Sequence, residues 1–386
     1  MNEKSAYFDN AATTFPKPEI VYQLADEFYR SCGANAGRGQ YPMAAKAMKL
    51  IEETRELLLA LFRCNNKQAI FTSSATEAIN KILFGLNLEP GSIIYLSPFE
   101  HNAVTRVAYA LEQNAGIKIK HLPFERNSLR LDERRIKQEF AESPPSVVIA
   151  THASNVCGTV LPIEMVFSLA KRHQAITLVD MSQTAGLLEL PVASSIIDYA
   201  IFAGHKTLLA PFGVGGFFCN ANANLTPIMF GGTGINSLDQ GSAETLRERI
   251  EIGSPNIYAI AGLNASLKWI DKKGIAAIHQ YESDNADQLL NILRSYSNIT
   301  IVADSITTER IGVVSALFDN YSPDEIGSVL ASNGVAVRTG LHCSPYAHAF
   351  LGTAPSGTVR FSVSCLTAEE DFGILRNALN VIRDHG

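Results

Sequence analysis

The sequence has little that marks a metal-binding, nucleic-acid-binding or nucleotide-binding protein. Its six cysteines, Cys32, Cys64, Cys157, Cys219, Cys343 and Cys365, include no C-x-x-C pair, so the usual zinc and thioredoxin-like motifs are missing. No run of five or more Lys/Arg occurs and the net charge is −6. The basic footprint of a nucleic-acid partner is therefore absent, and a small-molecule substrate is expected instead. No Gly-x-Gly-x-x-Gly follows a strand and opens a helix, and no Walker loop is present, which disfavours a nucleotide-binding α/β protein. Internal repeats and low-complexity segments are lacking too. The polar start of the chain has no apolar core of a secretory signal; a cytoplasmic location and free thiols are the expectation. Even the most apolar stretch, 199–219, contains His205 and Lys206 and is broken by Pro211, Gly213, Gly215 and Gly216. It reads as two buried strands joined by a loop rather than a membrane span.

What is present is an ordinary globular composition, 46% hydrophobic and 18% charged, which argues against disorder. At 386 residues the chain exceeds a single core, since cores stop growing at roughly 250–300 residues. A large domain over 16–262 and a smaller one over 263–386, joined by 1–15, are expected. In the first, short apolar runs (69–72, 92–96, 146–151, 176–180, 198–203, 215–219) alternate with amphipathic helical patterns (42–62, 77–86, 102–113, 164–172). That alternation predicts an α/β fold with a mostly parallel sheet flanked by helices. The pattern changes after Pro255. Helices over 259–272, 282–294 and 369–383, with strands near 299–303, 311–317 and 335–337, predict a smaller α+β domain.

Four features at predicted strand ends carry chemistry. Asp180 closes the apolar run 176–179, where open α/β sheets bind ligands; a carboxylate at that depth needs a partner such as a protonated pyridinium nitrogen. Lys206 follows the strand 198–203, and a desolvated lysine there suits a Schiff base. Ser73-Ser74-Ala75-Thr76 follows a strand and opens a helix, offering backbone N–H groups to a phosphate. His101, after the strand 92–96, could stack on a flat ring. Each has a plainer explanation on its own: a helix cap for Asp180 and the Ser/Thr run, a snorkelling lysine, a polar loop histidine. Together they fall on one edge of one sheet.

With these residues the chain resembles the class V aminotransferase family of pyridoxal 5′-phosphate (PLP) enzymes, fold type I, and within it the cysteine desulfurase / selenocysteine lyase branch. The motifs run from Phe8-Asp-Asn-Ala-Ala-Thr-Thr through Thr76-Glu-Ala-Ile-Asn, Glu100-His, His152-Ala-Ser-Asn-Val-Cys-Gly-Thr, Val179-Asp-Met-Ser-Gln, Gly204-His-Lys, Gly253-Ser-Pro-Asn and Arg338-Thr-Gly-Leu-His-Cys to Gly357-Thr-Val-Arg-Phe-Ser. The resemblance implies that Lys206 carries the cofactor and shuttles protons, and that Asp180 keeps the ring nitrogen protonated. Gln183 would bond the ring's phenolic oxygen and His101 would stack on its face. Thr76, the Ala75 backbone and His205 would hold the phosphate. Ser254 would reach the phosphate of a neighbouring subunit, which implies a homodimer. Asn155 and Arg360 would hold the substrate carboxylate, with Arg338 and Arg38 also at the substrate.

Cys343 would attack the sulfur of L-cysteine, giving a Cys343 persulfide and L-alanine, with a sulfur-acceptor protein as a further partner. A free thiol is only a few per cent ionised at neutral pH, so His342 or the cofactor's surroundings would have to help. The other five cysteines read as core or incidental thiols. The chain departs from the branch at Leu341, Ala75 and Gly37, where His, a hydroxyl residue and His are common; these positions bear on substrate, acceptor and rate. Selenocysteine lysis, cysteine-sulfinate desulfination and small-amino-acid transamination are the alternative reactions. A non-catalytic scaffold is disfavoured because Lys206 and Asp180 are both kept.

Overall fold

A computed structural model describes residues 5–36, 39, 41–232, 245–304 and 309–385. The chain opens with β1 (Ala6–Tyr7), α1 (Glu19–Cys32) and α2 (Pro42–Leu61). There follow β2 (Lys67–Thr72), α3 (Ala75–Gly85), β3 (Ile93–Leu96), α4 (Asn102–Ala115), β4 (Lys118–His121), α5 (Glu133–Glu142), β5 (Val147–Thr151), α6 (Ile163–Lys171), β6 (Ile176–Asp180), β7 (Tyr199–Ala203) and β8 (Gly215–Asn220). Then come α7 (Leu246–Ile250), α8 (Ile257–Lys273) and α9 (Ile275–Arg294). The last part holds β9 (Ile299–Ile301), β10 (Val313–Phe318), α10 (Pro323–Ser332), β11 (Val335–Ala336), β12 (Arg338–Gly340), α11 (Pro345–Leu351), β13 (Thr358–Ser362) and α12 (Glu369–His385).

Seven strands form one sheet in the order β2-β8-β7-β6-β5-β3-β4. Only β8 runs against its neighbours; the other adjacent pairs are parallel. The predicted α/β architecture is therefore present, and 199–219 is the predicted pair of strands. Strands β5 and β7 are buried along their whole length, as expected for a sheet covered on both faces. Buried side chains from α2, α6 and α8 cover one face and those of α3 and α4 the other. The parallel register, with Thr151 beside Asp180 and Asp180 beside Ile201, brings the carboxyl ends of β3, β5, β6 and β7 to one edge.

A second core surrounds the antiparallel sheet β12-β13-β10-β9 and gathers Phe8, Leu289, Phe361, Phe372 and Leu375. Helix α9 runs from one core to the other: Ile278 packs in the first and Ala286 in the second.

Some elements had no clear sequence pattern. Strand β4 is a polar edge strand, Lys-Ile-Lys-His, with both ends exposed, as edges often are. Helix α1 buries only Val21, Ala25 and Cys32 while Ile20, Tyr22, Leu24 and Tyr29 face outward, which blurs its period. Strand β13 is wholly buried yet contains Thr358, Arg360 and Ser362, so it does not read as an apolar run.

Candidate active site

The strand-end features converge. Helix α3 starts at Ser74, whose backbone is extended and whose hydroxyl accepts from Glu77 N at 3.2 Å. Ser73 N donates to Glu77 Oε2 at 2.8 Å. The hydroxyls are thereby committed to the cap, and the first helical N–H groups point outward, as an anion site requires. The close approach depends on Gly215: a Cβ there would lie 2.8 Å from the Ser74 carbonyl carbon and 2.9 Å from Ala75 N. His101 caps α4 in turn, its Nδ1 accepting from Ala103 N at 3.0 Å, which leaves the proton on Nε2.

One cavity of about 210 Å³ joins these ends. Most of the residues singled out in the sequence line it: Ser74, Ala75, Thr76, His101, Asn155, Asp180, Gln183, His205, Lys206, Arg338 and Arg360. Others do not. Cys343 lines a neighbouring cavity, Ser254 lines a third beside Ser73 and Glu77, and Arg38 lies outside the described residues, as does Gly37. Ser182 and His342 also line the first cavity. Ser182 was not singled out in the sequence, although its place two residues after the strand-end carboxylate was a usable signal.

Burial favours the neutral forms of Lys206, His101, His205 and Glu100 at the sheet edge. Asp180 is buried and its Oδ1 accepts from Ser182 N at 2.9 Å. Lys206 is pushed down to about 8 by loss of hydration, against the pull of Asp180 and with the help of Arg360 and Arg338. His101 falls to about 4, through desolvation and then Lys206. His205 falls to about 3 for the same two reasons and stacks on Phe212 at 4.5 Å. Behind His101, Glu100 is completely buried and desolvation raises it to about 8. It accepts from Thr151 N at 2.7 Å and from Ser97 Oγ.

The small sheet supplies cations. Arg338 and Arg360 stand directly opposite each other on β12 and β13. Like charges across a strand pair repel, and a guanidinium cannot give up its proton. Such a pair is stable only with anions nearby. Arg360 is 1% exposed and bonds Asp9 Oδ1 at 2.7 Å and Asn155 O at 3.0 Å. Asn155 in turn donates to His342 O at 2.8 Å and accepts from Ser344 Oγ at 2.8 Å, which ties the Cys343 loop to the segment after β5.

In that loop His342 and Cys343 both adopt left-handed backbone, φ +47° and +58°, a costly conformation for non-glycine residues. Arg338 Nη2 donates to Cys343 Sγ at 3.3 Å. His342 is turned away: its Nε2 pairs with Thr358 Oγ1 at 2.8 Å and burial lowers it to about 2. The group beside the thiol is thus Arg338, not the imidazole the sequence offered. Cys64, Cys219 and Cys365 are pushed up to about 12 by burial, which makes them poor nucleophiles.

PLP fits this donor set. Ser182 Oγ and His205 Nδ1 are buried polar atoms in the cavity wall with no hydrogen-bond partner among the described residues. Such orphans are rare in folded proteins and imply a polar ligand. A recessed amine, a strand-end carboxylate and a helix start match an aldehyde, a pyridine nitrogen and a phosphate.

An open α/β sheet with this edge defines a class of enzyme. The chain belongs to the class-V aminotransferase family, whose model matches residues 6–375. It is similar to a probable cysteine desulfurase of Haemophilus influenzae, 31% identical, over 98% of this chain and 86% of that protein. It is 28% identical to a probable cysteine desulfurase of Methanothermobacter thermautotrophicus, over 98% and 95%. Among solved structures, the apo cysteine desulfurase of Thermococcus onnurineus superposes with a TM-score of 0.91 at 26% identity, covering 99% of this chain and 95% of that one.

Proposed function

We propose that the protein is a PLP-dependent cysteine desulfurase that converts L-cysteine to L-alanine and takes the sulfur onto Cys343 as a persulfide. The carrying observation is that Lys206, Asp180, Arg338 and Arg360 share one cavity while Cys343, on a strained loop, lines the adjoining cavity and contacts Arg338 of the shared wall. When bound, PLP supplies an electron sink for the substrate's α-carbon. Asp180 would face its ring nitrogen, the Ala75–Thr76 helix start and His205 its phosphate, and His101 its face.

The side chains divide the remaining work. Arg360 takes the substrate carboxylate as a bidentate fork, a second anion beside Asp9. Lys206, with its ammonium lowered to about 8, is free at neutral pH in a useful fraction to accept the α-proton. Arg338 Nη2 donates to Cys343 Sγ at 3.3 Å and so holds the sulfur beside the cavity wall. Cys343 attacks the substrate sulfur, an S–S bond forms and the substrate's C–S bond breaks; its β-carbon takes up a proton and its α-carbon regains the one held by Lys206, giving alanine.

A homodimer, a sulfur-acceptor partner, a cytoplasmic location and domains over 16–262 and 263–386 with 1–15 complete the proposal. Support for the dimer comes from Ser254, which faces a cavity separate from Lys206. No helix among the described residues is long and apolar enough to cross a membrane.

The test is absorbance of the purified protein with L-cysteine, alanine and sulfide being assayed under a reductant. Expected are a PLP band that Lys206→Ala removes and equal yields of alanine and sulfide. A PLP band without sulfide would move the reaction to another of the family's chemistries, and no band would end the proposal.

A further inference from the structure

Cys343 lines a cavity that Lys206 does not. It lines an outer basin of about 550 Å³ with Arg106, Tyr109, Leu341 and Tyr346, while Arg338 and His342 form the wall shared with the inner cavity. The basin is thus a second site, larger than the first, touching the inner one only through that wall. Its volume falls in the range of small-ligand pockets.

Its charge is one-sided. Among the described residues, two guanidiniums, Arg106 and Arg338, line it and no carboxylate does. Asp324 reaches the rim, where it accepts from Thr339 Oγ1 at 2.6 Å. Arg106 stands exposed on α4. Tyr109 and Tyr346, 59% and 39% exposed, give the basin flat apolar sides. Neutral residues close it near the thiol: Asn102 N donates to Cys343 O at 2.6 Å.

We propose that this basin binds the acceptor of the persulfide's sulfur, and that the acceptor is a low-molecular-weight thiol carrying a carboxylate. The inference rests on the desulfurase reading and names its second substrate. The acceptor's carboxylate pairs with Arg106 and its thiolate attacks the outer sulfur of the Cys343 persulfide. A new S–S bond forms in the acceptor, the old one breaks, and Cys343 leaves as a thiolate beside Arg338. The acceptor thiol's proton passes to Cys343 or to water, and no net oxidation occurs.

The experiment uses holoenzyme loaded with one equivalent of L-cysteine. Alanine release is measured first. Persulfide discharge by 3-mercaptopropionate, 2-mercaptoethanol and cysteamine follows, at low and high salt. Thiolate fraction alone favours cysteamine, because an ammonium lowers and a carboxylate raises a neighbouring thiol's pKa. The basin predicts the reverse order at low salt, with 3-mercaptopropionate about tenfold ahead of cysteamine. Salt should compress that order, and Arg106→Glu should invert it while leaving the alanine burst unchanged. An order that follows thiolate fraction, or one that Arg106→Glu does not move, overturns the inference although the burst survives. Absence of the alanine burst overturns the desulfurase reading and this inference with it.

Discussion

The two sheets treat charge in opposite ways. On the parallel sheet, burial drives titratable groups toward neutrality: Lys206 to about 8, His101 to about 4, Glu100 to about 8. On the antiparallel sheet, two guanidiniums stay charged while facing each other across β12 and β13. Groups that exchange protons sit where hydration is lost, because there a modest change of surroundings moves a proton. Groups that anchor an anion are arginines; burial lowers Arg360 as well, but from so high an ordinary value that the guanidinium keeps its proton.

The comparison breaks first at Arg360. Arg360→Leu removes the fork for the substrate carboxylate and leaves Asp9 unpaired. Truncating one partner of a buried charge pair costs 2–5 kcal/mol or more, so kcat/KM for L-cysteine should fall by roughly 100-fold or more. Steady-state kinetics check it; a loss under about threefold would mean the carboxylate binds elsewhere.

The parallel sheet is probed by pH. Only the neutral amine of Lys206 can capture PLP, so the second-order capture rate of the apo protein should rise with pH and level off above about 8. Asp180 holds the ammonium form, so Asp180→Asn should lower the amine's pKa and bring the plateau to lower pH. Stopped-flow absorbance measures both, and a plateau that stays in place would show that Asp180 does not act on Lys206.

The smallest effect is expected at Glu100. Its folded pKa of about 8 lies above the ordinary 4.5. The native state therefore holds a proton that the unfolded chain has lost, and stability falls as pH rises from 4.5 to 8. Glutamine resembles the protonated carboxyl, so Glu100→Gln should melt a few degrees higher than the parent at pH 8. The two should converge by pH 5, as scanning calorimetry would show.

The parallel sheet and its edge were legible because buried parallel strands are apolar runs that stop abruptly, and Asp180, Lys206, His101 and Ser74 stand where they stop. The antiparallel side was harder to read. Arg360 sits inside β13, where a charged residue disguises a buried strand. Pairing of Arg338 with Arg360 is a matter of register between strands twenty residues apart, which no local pattern carries. The same holds for the Arg338–Cys343 contact, which closes across the left-handed turn at His342 and Cys343.

The most direct measurement is a single turnover of holoenzyme with ³⁵S-labelled L-cysteine and no added thiol, followed by peptide mapping. The account predicts one alanine per chain and label confined to the peptide containing Cys343, with neither formed at a comparable rate by Cys343→Ala. Alanine formed at the parental rate by Cys343→Ala, or label on another cysteine, would contradict it.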